Sequence, residues 1–70
     1  MKLFMASWCK FCQPVKTLIK EKNLDVEIID IDHSFALAAE YQIKQIPALA
    51  ISKDNVMLES KDIIAYLETL

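Results

Sequence analysis

The chain has 70 residues, 54% of them hydrophobic, and a formal net charge of −2. That size and composition fit one small domain, residues 1–70, with a dense core and no room for a second domain or a long disordered tail. The charge balance gives no nucleic-acid surface, and no stretch approaches the roughly 20 apolar residues of a membrane span. With no basic patch, partners are expected to be proteins or thiols, and two cysteines are too few for a disulfide-stapled secreted fold. Met1 to Ser7 lacks the apolar run of a signal peptide, and a cytoplasmic monomer is expected.

Lys2 to Met5 is a short apolar run that reads as a strand once the segment after it is considered. From Phe11 to Lys22, Phe11, Val15, Leu18 and Ile19 recur at helical spacing with Lys16, Lys20, Glu21 and Lys22 opposite, and Asn23 is the expected stop. Pro14 removes a backbone donor near the start, so an irregular first turn is expected. Leu24 to Asp32 alternates and then shifts parity, as in a strand half-exposed at its start and covered on both faces at its end.

Asp32 or Ser34 can cap a helix over Phe35 to Tyr41, rich in Ala36, Ala38 and Ala39. Ala48 to Ile51 reads as a buried strand. Lys53-Asp54-Asn55 reads as a turn with Asn55 left-handed, and Val56 to Leu58 as its hairpin partner. Ser60 is the expected cap of a last helix with Ile63, Ile64, Leu67 and Leu70 in one stripe. The order is β-α-β-α-β-β-α, an α/β fold with a mixed four-stranded sheet flanked by three helices.

Chemistry concentrates in Trp8-Cys9-Lys10-Phe11-Cys12, which uses both cysteines in the frame W-C-x-x-C. At a helix start Cys9 would be exposed and would meet unpaired amides and the positive end of the dipole, with Lys10 adding a cation. Its thiol is then expected at about 7 or lower rather than roughly 8.5. Cys9 would attack a disulfide and Cys12, one turn behind it, would resolve the mixed disulfide.

Trp8 would form an apolar lip and Phe11 would lie between the two thiols, although core packing would also suit either ring, and Lys10 could be a solvated charge only. A zinc site needs four ligands, and there is no second C-x-x-C and only one histidine, His33, which reads as a surface residue at a helix start. No bound metal or cofactor is therefore expected. A non-catalytic module in which the cysteines bridge a metal or iron–sulfur centre between two subunits is a rival reading.

The segment Ser7-Trp8-Cys9-Lys10-Phe11-Cys12, with Ile31-Asp32 and the run from Glu40 to Leu49, resembles the thioredoxin/glutaredoxin family over nearly the whole chain. That resemblance implies a thioredoxin fold and a thiol–disulfide oxidoreductase working through a reversible Cys9–Cys12 disulfide. It implies a cis bond at Ile46-Pro47 beside the cysteines, with Ile46 offering backbone hydrogen bonds to substrate.

The same resemblance implies protein disulfides as substrates, ribonucleotide reductase among the clients of small members. Electrons would come from a thioredoxin-reductase-like flavoprotein or from glutathione. The chain departs from the family in three places. It has eight residues before Cys9, the length of a minimal glutaredoxin-like member, where thioredoxins begin with a further strand and helix. Leu3 stands where thioredoxins carry a buried carboxylate. Leu58 and Glu59 replace the Gly-Gly step of glutaredoxins, which weakens the expectation of glutathione specificity although Ser60 could still contact an anion. A glutathione-dependent glutaredoxin is therefore the second reading.

Overall fold

The computed structural model describes residues 1–70. Strand β1 (Lys2–Met5) leads to helix α1 (Cys12–Glu21), strand β2 (Glu27–Asp30), helix α2 (Phe35–Glu40), strands β3 (Ala48–Ser52) and β4 (Asn55–Met57), and helix α3 (Ser60–Glu68). The sheet order is β2-β1-β3-β4, with β1 and β2 parallel and the other two pairings antiparallel. This is the expected α/β architecture, and the period of two along β1 builds it. Leu3 and Met5 turn to one face, where they pack with Leu49 of β3, Val15 and Ile19 of α1, and Ile63 and Leu67 of α3.

Phe4 turns to the other face, against Ile29, Ala38, Ala48 and Ala50. The three alanines there let α2 approach the sheet closely, and the Phe4 and Tyr41 rings pack 5.3 Å apart at a tilt. Both layers are dry, since no polar or charged residue is buried anywhere in the chain.

With no glycine available, α1 and α2 both end in Schellman geometry on other residues. Asn23 closes α1 at φ 53, with its N–H donating to Lys20 O and that of Leu24 to Ile19 O. Gln42 closes α2 at φ 57, with its N–H donating to Ala39 O and that of Ile43 to Ala38 O. Asn23 is the expected stop; Gln42 is a finding, since glutamine lacks the short side chain that eases a left-handed backbone.

Several local expectations are corrected. Helix α1 begins at Cys12 rather than Phe11, because Lys10 and Phe11 form a turn closed by Gln13 N–H to Lys10 O. Pro14 is then the third helical residue, where no intrahelical donor is needed, and it costs the helix nothing in hydrogen bonds. Strand β2 is shorter than Leu24–Asp32 and lies at the sheet edge, which leaves Ile28 partly exposed.

The hairpin turn has only two residues, Lys53 and Asp54, and Asn55 is the first residue of β4 with no left-handed φ. Two-residue hairpins favour turns with positive φ; here φ stays negative, and the register shifts between Ala50 and Ser52 of β3. Glu59, in an extended conformation, is the N-cap of α3 and Ser60 its first residue, while Leu70 lies beyond the helix and is exposed.

Candidate functional site

Cys9 follows directly from the end of β1 through a turn in which its N–H donates to Ala6 O at 3.1 Å. It therefore sits three residues ahead of α1 rather than at the helix start, and only 6% of its surface is open, against the exposed thiol expected. Cys12, the first residue of α1, is fully buried. Both thiols are free, and the Cys12 S–H donates to the Cys9 sulfur at 2.6 Å. The pair is thus graded, with one thiol near the surface and one closed off behind it.

Burial pushes the Cys12 thiol from its ordinary 9.0 up to about 12, and its hydrogen bond to Cys9 and the nearby Cys9 charge add to the rise. A backbone hydrogen bond at Ala6 and the Lys16 ammonium, one turn further along α1, pull the other way. Leu3 is fully buried in the same cluster as both cysteines, where no carboxylate is present.

The rest of the predicted surroundings divides in two. Trp8 stands 66% exposed, and its indole N–H donates to the Asp32 carboxylate at 3.0 Å. It lines a hollow of about 330 Å³ with Ile31, Ala38, Ile43, Lys44, Gln45 and Ile46. Phe11, 70% exposed and off the core face of α1, lines a second hollow of about 390 Å³ with Gln45, Ile46, Pro47, Leu58, Glu59 and Ser60.

Gln45 and Ile46 border both hollows and form the ridge between them. Ile46 also packs against the cluster that holds the cysteines, and the Ile46-Pro47 bond is cis. The N–H and C=O of Ile46 make no hydrogen bond within the chain. Gln45 ties the ridge to the segment before α3, its side-chain N–H donating to Leu58 O at 3.4 Å.

Of the residues singled out in the sequence, Phe11, Ile46, Pro47 and Ser60 come together around one hollow, and Trp8 joins Ile46 at the other. Lys10 is exposed, lines neither hollow and has no ion pair. His33 is exposed, its Nε2 3.9 Å from the Asp30 carboxylate. Lys44, Gln45 and the Asp32 acceptor were not foreseen; their position beside Ile46-Pro47 and after Ile31 was the available signal. No group of three or more His, Cys, Asp or Glu side chains converges in the fold.

A mixed four-stranded sheet in the order β2-β1-β3-β4 with three helices defines a thioredoxin-fold domain. Residues 3–70 match the family model described as the glutathione S-transferase N-terminal domain. The chain is also similar to thioredoxins from Staphylococcus aureus strains Mu50 / ATCC 700699, MW2 and USA300. Each is 32% identical over 58 residues, which cover 74% of this chain and 56% of the relative. The chain belongs to the thioredoxin-like family that this model describes, and spans little more than half the length of those relatives.

Proposed function

We propose that the chain is a thiol–disulfide oxidoreductase that reduces protein disulfides by dithiol exchange through Cys9 and Cys12. The similarity to thioredoxins supports oxidoreductase activity in general. The finer reading rests on one arrangement: two free thiols 2.6 Å apart, the inner one closed, beside a ridge whose Ile46 backbone groups are unpaired. An extended polypeptide can satisfy that N–H and C=O while its disulfide meets Cys9.

The Cys9 thiolate attacks one sulfur of the substrate disulfide. That S–S bond breaks, a mixed disulfide forms, and the first substrate thiolate takes a proton from water. Cys9 is then uncharged and no longer accepts from Cys12, so two of the influences that hold the Cys12 proton vanish. Cys12 loses its proton to water and attacks the Cys9 sulfur, the Cys9–substrate S–S bond breaks, and the second substrate thiolate leaves and takes a proton from water. The substrate gains two electrons and two protons, and the protein holds a Cys9–Cys12 disulfide. A flavoprotein reductase or glutathione restores the dithiol, and the setting is the cytoplasm.

No helix is long and apolar enough to cross a membrane. Equilibration against graded glutathione buffers, followed by thiol trapping and intact-mass measurement, tests the reading. The expected result is a two-electron transition to an intramolecular disulfide, abolished by Cys9→Ser. Failure to form that disulfide would sink it and favour the metal-bridging rival, although one chain supplies only two sulfur donors.

The family model gives one specific reason to keep the glutathione reading. The Phe11 hollow ends at the first turn of α3, where Ser60 and the helix amides suit a carboxylate and Glu59 suits an ammonium. In that case Cys12→Ser retains turnover of glutathione mixed disulfides; under dithiol exchange it loses turnover of protein disulfides.

A further inference from the structure

The two hollows flanking Ile46 differ in their chemistry. The one beside Trp8 is apolar on five of its seven residues. The other holds a single ionisable group, Glu59, between the exposed side chains of Phe11 and Leu58. Glu59 makes neither an ion pair nor a capping hydrogen bond, so its carboxylate is unclaimed. Lys61 and Asp62, next in the first turn of α3, carry opposite charges and do not line the hollow.

An exposed aromatic ring, an apolar stem-sized surface and a free carboxylate around one hollow are the parts that recognise arginine. The aliphatic stem packs on Leu58, the guanidinium lies against the Phe11 ring, and its N–H groups donate to Glu59. Lysine fits the same parts with a point charge, whereas an acidic side chain meets repulsion.

Resting on the disulfide-reductase reading above, we propose that this site reads the charge of its polypeptide substrate, taking a basic residue on the Phe11 side of Ile46 and an apolar one on the Trp8 side. Glu59 is the residue that sets this preference. Charge here works through encounter and orientation of the peptide, not through the thiols themselves.

The test uses synthetic disulfide-linked peptides with leucine on one side of the cysteine and arginine, glutamine or glutamate on the other, in both orders. The expected result is a kcat/KM for the arginine peptide about 3- to 10-fold above that for the glutamate peptide in one order, at low ionic strength. That ratio should shrink below about 2 in Glu59→Gln, invert in Glu59→Lys, and collapse near 1 M salt. Glu21→Gln removes the same charge at the far end of α1 and should leave the ratio as it is.

Equal turnover of all peptides, or a ratio untouched at Glu59, overturns the charge preference while leaving the reductase reading in place. Failure of the wild-type protein to reduce any peptide overturns both. Reduction of the glutathione mixed disulfide alone would replace the polypeptide occupant with the tripeptide.

Discussion

With Leu3 in the same buried cluster and no charged group buried in the chain, Cys12 has no internal base, and burial, with the Cys9 hydrogen bond and charge behind it, raises its thiol to about 12. The unfolded chain releases that proton near the ordinary 9.0 and the folded chain holds it to about 12. Between those values the unfolded state binds fewer protons, so folding stability falls as pH rises through the window and is fully present below it. Denaturant titrations from pH 8 to 11 should show this decline, and Cys12→Ala should flatten it.

The same contrast predicts chemistry at neutral pH. Reduced native protein should take one iodoacetamide adduct, at Cys9, and two only after unfolding, as read by intact mass. Gln42 is a second residue-scale case, since a left-handed glutamine costs roughly 1–2 kcal/mol relative to a right-handed one. Gln42→Gly should therefore raise stability by about 0.5–1 kcal/mol after glycine's own entropy cost, and Asn23→Gly by less. Urea midpoints of the two variants check the order.

At the scale of elements, the helices are joined through their ends as well as their faces. The Lys22 ammonium at the end of α1 donates to the carbonyls of Leu67 and Glu68, 3.4 and 2.8 Å away, at the end of α3. A cation there satisfies the Glu68 carbonyl, joins the Leu70 N–H on the Leu67 carbonyl, and lies at the negative end of the dipole. Lys22→Met should cost about 0.5–1 kcal/mol and speed amide exchange in the last turn of α3 more than in β1.

The apolar stripe of α3 was legible as Ile63, Ile64 and Leu67, which face the core or its margin. Its fourth member, Leu70, was not, because periodicity continues past the point where Thr69 ends the helix. Periodicity misled at Phe11 for the opposite reason. The spacing that places Val15 and Ile19 inward does not extend back through the turn at Lys10.

Across the molecule, the two layers share one sheet, and Phe4 and Leu3 on adjacent positions of β1 hold opposite faces. At 70 residues, one such side chain is a large share of the total stability. Phe4→Ala, at a fully buried site beside Tyr41, should cost about 3–5 kcal/mol and lose both layers in one transition. Far-UV and tyrosine near-UV signals should then coincide on denaturation.

Element types, their order and the W-C-x-x-C pair were written in the chain itself, because they depend on local features: a period of 3.6 in α1 and α3, an apolar run leading into the motif at β1, and two residues between the thiols. The cis bond at Ile46-Pro47 was legible through resemblance. What only the tertiary structure decided is how far Cys9 is covered and where the surface divides. Trp8 and Phe11, three apart in sequence, open onto separate hollows because the Gln45-Ile46 ridge, over thirty residues away along the chain, comes between them. The pairing of Trp8 with Asp32 and the enclosure of Cys12 arise in the same way, from segments distant in sequence brought against the end of β1. Local spacing cannot encode such neighbours, since they depend on the packing of both layers at once.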